Sequence, residues 1–206
     1  MTTARATSTR YQQQHQRAIA AAASVFAKKG FHGATTQDIA NEMGIQQGSL
    51  YYYFDSKEAA LEEVCLFALR DYLSRMEVLA TQPGSITNKL GKAIQSHLAS
   101  YRTHHEAMKV HNEQRLYLAD TRREQLKTLG SRYRELLEQL FSAGVKDGSL
   151  NPQLDCRFSA RSLIGLCNYW GVMLLRDTRL DIEDIGARCL ELTLQGSLPP
   201  RIEQHL

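Results

Sequence analysis

The sequence predicts an all-α protein of about nine helices, and three observations carry that reading. Apolar residues recur every three to four positions along most of the chain. Only 4 prolines occur in 206 residues, few enough to leave long helices unbroken. Strictly alternating Val/Ile/Thr runs, the mark of half-buried strands, are missing from the sequence. With 43% hydrophobic and 23% charged residues, the composition is that of a globule able to bury a core.

Composition also narrows the class. No apolar run approaches the roughly 18 residues that span a bilayer. The longest candidates, Val64–Leu69 and Trp170–Leu175, belong to longer amphipathic patterns. The N-terminus carries arginines with no apolar segment behind them, so it does not read as a secretory signal, and a cytoplasmic location is expected. A formal net charge of +3 permits contact with nucleic acid without demanding it. Cys65, Cys156, Cys167 and Cys189 lie far apart with no metal-ligand spacing. Cys65, Cys167 and Cys189 fall on apolar stripes and read as small buried hydrophobes. A redox-sensing thiol is the alternative, and it would have to be exposed and acidic.

Residues 1–11, rich in Thr, Arg and Ser, read as a flexible arm. Its Arg5 and Arg10 read first as a solvated tail and only second as an electrostatic contact to DNA. A helix begins at Gln12 with Ile19, Ala22, Ala23 and Phe26 on one face, and Gly30 ends it as a left-handed cap. Thr35 and Asp38 have capping-box spacing and start a short helix whose inner face is Ile39, Ala40 and Met43. Gly44 breaks that helix, and a second short one runs from about Gln47 to Tyr53 with Leu50 inward. Two short helices joined through a tight glycine turn make a helix-turn-helix over residues 12–56.

The remainder, 57–206, reads as a helical domain. Asp55 and Glu58 repeat the capping-box spacing before a long helix bearing Leu61, Val64, Cys65, Ala68, Tyr72, Met76 and Leu79. Gln82-Pro83-Gly84 closes it. Further helices are expected at about 86–104, 106–118 and 121–146, then at about 155–176 and 181–195. The last two carry Leu163, Leu166, Cys167, Trp170 and Leu174, then Ile185, Cys189 and Leu192. A helix apolar on most sides needs cover on most sides, so these eight residues are expected at a homodimer interface.

The run Phe26-Ala27-Lys28-Lys29-Gly30-Phe31-His32-Gly33-Ala34-Thr35-Thr36-Gln37-Asp38-Ile39-Ala40 resembles the start of a TetR-family DNA-binding domain. It continues as Met43-Gly44-Ile45-Gln46-Gln47-Gly48-Ser49-Leu50-Tyr51-Tyr52-Tyr53-Phe54-Asp55-Ser56-Lys57-Glu58, and the likeness spans about residues 15–64. The resemblance implies a ligand-responsive regulator, a repressor that binds a palindromic operator as a dimer and releases it when a small molecule enters the second domain. It matches Gln46, Gln47, Gly48, Ser49, Tyr51, Tyr52 and Lys57 to DNA-contacting positions.

Residue chemistry points the same way. Gln46 and Gln47 can pair bidentately with adenine, Ser49 can reach a base edge, and Gly48 lets backbone approach DNA. Tyr51 and Tyr52 suit the sugar-phosphate wall, while Lys57 and Thr36 suit phosphates at two helix starts. The family often has Ser or Thr at position 46 and His at 53; Gln46 and Tyr53 depart from that, so operator sequence does not transfer.

Effector clues are sparser. His97, His104 and His111 are spaced by seven, a spacing that fits one helix face, but a metal site needs more converging ligands, so no metal and no cofactor are expected. The segment Asn112-Glu113-Gln114-Arg115-Leu116-Tyr117-Leu118 with Arg122 and Arg123 faintly resembles members that sense acyl-CoA thioesters. Tyr101, His105, His111, Asn112, Arg115, Tyr117, Asn168 and Tyr169 are the expected pocket residues. No nucleophile elbow, phosphate loop, zinc motif or Glu-x-x-His pair occurs, so an enzyme is not expected. A thiol-based redox regulator and a constitutive DNA binder remain the alternatives.

Overall fold

A computed structural model describes the backbone of residues 2–195 and the side chains of residues 10–195. Among the described residues all regular structure is helical. The helices are α1 (Thr2–Gly33), α2 (Thr36–Met43), α3 (Gln47–Leu50), α4 (Lys57–Thr81), α5 (Ile86–Thr103), α6 (His105–Gln114), α7 (Asp120–Asp147), α8 (Cys156–Arg176) and α9 (Ile182–Gln195), with a 3-10 turn at Arg115–Tyr117. Arg5 and the tail after Gln195 lie outside what can be described at side-chain level. The backbone of α1 begins at Thr2, well before the Gln12 at which the apolar pattern starts.

Punctuation seen in the sequence is realised locally. Gly30 takes φ 71°, ψ 163° and kinks α1, so the helix proper stops there and only one further turn follows. Thr35 caps α2: its hydroxyl accepts from Asp38 N at 3.1 Å, while Asp38 Oδ2 accepts from Thr35 N at 3.0 Å. Gly44, at φ 68°, terminates α2, and Ile45 N donates back to Ala40 O at 3.0 Å.

Two elements end earlier than the pattern suggests. α3 stops at Leu50, and Tyr51–Tyr53 form a tight turn in which Tyr53 N donates to Leu50 O at 2.8 Å. Tightening from i→i−4 to i→i−3 bonds turns the chain and brings Phe54 into the core. α6 stops at Gln114 because Arg115 Nη1 folds back on the carbonyls of His111 (3.1 Å) and Asn112 (2.8 Å).

The chain divides into two compact units, Met1–Arg70 with His104–Lys127, and Asp71–Thr103 with Thr128–Leu206. The first therefore extends beyond the expected 12–56. Lys109 Nζ donates to Ala27 O (2.9 Å) and the buried Gln114 Nε2 to Phe26 O (2.9 Å), tying α6 to the last turn of α1 before its kink. Its buried side chains include Ala18, Ile19, Ala22, Phe26, Ile39, Ala40, Leu50, Phe54, Leu61 and Val64. The second unit packs α5, α8 and α9 with parts of α4 and α7 around Leu90, Ile94, Leu98, Leu137, Phe141, Leu163 and Leu174.

Candidate nucleic-acid interface

The helix-turn-helix is fixed from below by small and capped residues. Ala40 is fully buried, so α2 can pack closely on its neighbours, and Leu50 anchors α3. Asp38 also takes a 2.7 Å ion pair from Lys29, which joins the end of α1 to the start of α2. That Lys29 hydrogen bond, with those from Thr35, holds the Asp38 carboxyl down to about 2.

On the outer side, Gln46, Gly48 and Ser49 are exposed and Gln47 is half-buried. Gln47 Nε2 donates to Thr36 Oγ1 at 2.9 Å, joining two residues expected separately at DNA. Tyr51 is 50% exposed and Tyr52 71%, while Tyr53 is half-buried and Phe54 joins the core. Lys57 has a second task besides any phosphate. Its ammonium donates to Phe31 O (2.8 Å) and Ala34 O (2.9 Å) and sits 4.5 Å from the Phe31 ring centroid. Two of its three N–H groups are thus committed inside the unit, which leaves one uncommitted.

The expected pocket residues divide between the units. His105, His111, Asn112, Arg115 and Tyr117 belong to the first, and Tyr101, Asn168 and Tyr169 to the second. Tyr117 stacks on Phe31 (5.9 Å) and meets His32 edge-on (4.5 Å). Arg122 pairs with Glu62 at 2.6 Å and Arg123 with Asp120, so with Arg115 folded onto its own helix none of the three expected arginines is free of a partner. His97, His104 and His111 share no helix face, because α5 ends at Thr103 and a new helix begins at His105. Burial holds the His111 imidazole down to about 4.

Tyr101 and Asn168 do converge, on a residue the pocket expectation left out. His97 Nε2 lies 3.0 Å from Asn168 Oδ1, His97 Nδ1 lies 3.0 Å from Tyr133 Oη, and the Tyr101 hydroxyl donates to Asn168 Oδ1 at 3.2 Å. The Asn168 carbonyl oxygen can only accept, so Nε2 carries the imidazole proton and the Tyr133 hydroxyl donates to Nδ1. Burial holds His97 down to about 4, keeping it neutral, and pushes the Tyr133 phenol up. His97 stood out in the sequence only by spacing, and nothing there singled out Tyr133 as its partner.

Of the expected dimer residues, Leu163, Cys167, Leu174, Ile185 and Cys189 are buried within the chain itself, Leu166 and Trp170 are partly buried, and Leu192 is exposed. Burial pushes the Cys65 thiol up to about 12 and raises Cys167 and Cys189 as well, the opposite of what a redox-sensing thiolate needs. Among the described residues no helix is long and apolar enough to cross a membrane, and no group of His, Cys, Asp or Glu is placed to hold a metal.

A capped helix-turn-helix with polar and tyrosine side chains outward defines a DNA-binding protein, and the second unit is an all-helical domain appended to it. Residues 18–64 match the family model described as bacterial regulatory proteins, tetR family, and residues 83–197 match the tetracyclin repressor-like C-terminal domain. The transcriptional repressor KstR2 of Rhodococcus jostii is 31% identical over 143 residues, covering 69% of this chain and 70% of its own. The TetR-family regulator PfmR from Thermus thermophilus shares the fold at a TM-score of 0.78 and 23% identity, covering 87% of this chain and 98% of its own. FadR of Bacillus subtilis, solved with stearoyl-CoA, shares it at 0.76 and 23%, covering 88% and 98%. The chain belongs to the TetR family of transcriptional regulators.

Proposed function

We propose that this protein is a dimeric repressor that leaves a palindromic operator when an acyl-CoA thioester enters its helical domain. Asn168 carries this reading. Its oxygen is pinned by His97 and Tyr101, yet the residue is exposed, and its amide N–H groups have no partner among the described residues. A side chain locked at one end and open at the other is preorganised to donate to a ligand carbonyl.

The charged end of such a ligand also has a place. α7 and α8 enclose a groove of about 320 Å³ lined by Ser131, Arg134, Glu135, Glu138, Ala160, Arg157 and Arg161. Arg157 and Arg161 make no ion pair among the described residues, so their guanidinium forks are open to phosphate. This groove takes the part expected of Arg115, Arg122 and Arg123. One turn further along α8, Leu163, Ile164 and Cys167 pack as an apolar seam beside His97 and Tyr133 that is closed in this structure, so an acyl chain would have to part it. The stearoyl-CoA in the Bacillus subtilis relative is a ligand of the same class.

For the dimer, the outward faces of α8 and α9 provide a groove of about 400 Å³ edged by Phe158 and Leu192, 68% and 62% exposed. Two copies would bury these residues in a four-helix interface.

The test is operator release. A fluorescent duplex selected by the wild-type protein from a randomised pool is titrated with free CoA and acyl-CoAs of increasing chain length. At least tenfold loss of affinity with one of them is expected, a coupling of about 1.4 kcal/mol. Asn168→Ala should bind the duplex normally and ignore the thioester. A wild type that holds the duplex unchanged across the whole panel would remove the acyl-CoA assignment.

A further inference from the structure

The rings beside the recognition element form a ladder that its own DNA contacts do not require. On α1, the Tyr11 ring lies edge-on to Tyr52 at 5.6 Å and stacks on Tyr53 at 6.4 Å. His15 stacks on Tyr11 at 5.9 Å and reaches Tyr53 at 6.5 Å and Phe54 at 5.9 Å. The ladder thus climbs from buried Phe54 to Tyr52, the most exposed of the tyrosines of the recognition turn.

This part of α1 covers little core. Arg10, Tyr11, Gln12, Gln13, Gln16 and Arg17 are all exposed, and among the described residues the first fully buried side chain is Ala18. A helix end without an apolar face gains little from packing, so its ring contacts with the recognition turn are what hold it. Charge supplies a second, independent observation. The first acid in the chain is Asp38, whereas Arg5, Arg10, Arg17, Lys28 and Lys29 all precede it. Arg10 is exposed and makes no ion pair among the described residues. A one-signed segment fastened to a DNA-facing turn is matched to a phosphate backbone.

We propose that the N-terminal turns of α1 belong to the operator interface, with Arg10 contacting a backbone phosphate and Tyr11 and His15 acting as positioning residues for Tyr52 and Tyr53. An exposed tyrosine on a turn samples several rotamers; the edge-on Tyr11 ring restricts Tyr52 before DNA arrives, which lowers the ordering cost of binding. The ring, not its hydroxyl, does this.

The test uses full-length protein and a duplex selected by the wild type, with affinity measured across a salt series. Arg10→Ala should weaken binding and reduce the slope of log affinity against log salt by about 1. Tyr11→Ala should weaken binding about tenfold with the slope unchanged, and Tyr11→Phe should restore it. A purely structural Tyr11 would lower the melting temperature and leave the affinity of the folded protein intact, which overturns its positioning role. An Arg10→Ala protein with wild-type affinity and slope overturns the phosphate contact, whatever Tyr11→Ala does to folding.

Discussion

Gln47 donates through Nε2 to Thr36 Oγ1 at 2.9 Å, so the side chain best suited to read a base is held by the first residue of α2. The bond consumes one amide N–H. The other N–H and the carbonyl oxygen remain, which is the donor–acceptor pair that adenine requires. Thr36 thereby fixes the angle at which Gln47 would enter a groove.

Thr36→Val should therefore blur base preference more than it lowers total affinity. Discrimination at one operator position is expected to fall by about 1–3 kcal/mol, while binding to non-specific duplex stays unchanged. Competition between the selected duplex and single-base variants measures this. Equal losses on every duplex would mean that Thr36 serves only as a phosphate contact.

Lys57 is expected to matter for stability as well as for DNA. Lys57→Met removes two charge-assisted bonds to Phe31 and Ala34 carbonyls and the contact with the Phe31 ring. A loss of about 1–3 kcal/mol is expected, read as a lower urea midpoint without DNA present. If the midpoint is unchanged, those bonds are not holding the α1–α2 junction.

These relationships mark where the sequence stopped being legible. Gly30, Thr35, Asp38 and Gly44 act through their own backbone within a few residues, so spacing was enough to place α1, α2 and the turn. The early stop of α3 depends on Phe54 being drawn into the core, and the partners of Lys57 and Arg122 come from elsewhere in the fold. Periodicity showed that α8 is apolar on several sides and that α9 carries one apolar seam. It did not show that Cys167, Leu174 and Cys189 face the chain's own core while Phe158 faces out. The polar relay was not legible because His97 stood out only by spacing, and its partners Tyr133 and Asn168 come from other helices, 36 and 71 residues away.

The relay gives stability a defined pH dependence. His97 titrates near 6.5 when unfolded and about 4 when folded, because burial disfavours the imidazolium. The unfolded chain binds the proton first, so this contribution is fully present above about pH 6.5 and is lost as pH falls through the folded value of about 4. The full span is worth about 3 kcal/mol. Urea midpoints measured across that window should decline less steeply for His97→Gln than for wild type. Parallel declines would mean that His97 is not the group responsible.

Gly171 is the position at which the relay tolerates least change. A Cβ there would run into the ring of Tyr101, which is fully buried and has no room to swing aside. Gly171→Ala should cost about 1–3 kcal/mol through overpacking. Its displaced ring should also release Asn168, so effector response should vanish while ligand-free operator binding persists. Calorimetry and the operator-release titration read the two effects separately, and a variant that melts and responds like wild type would show that the Tyr101 contact is soft.

Exposure separates core from interface on α8 and α9. Leu192 and Phe158 are the exposed apolar residues edging the groove on this face, so a charge at either is cheap for the isolated chain and expensive for a pair of chains. Leu192→Asp should leave helicity intact, shift sedimentation toward the monomer and weaken operator binding strongly, since a palindrome is then gripped by one half-site at a time. Cys189→Asp places the charge three residues earlier on the same helix but inside the chain's own core. That change should unfold the domain instead of dividing the dimer. If Leu192→Asp sediments as the wild type does and binds the palindrome equally well, the dimer forms through another face.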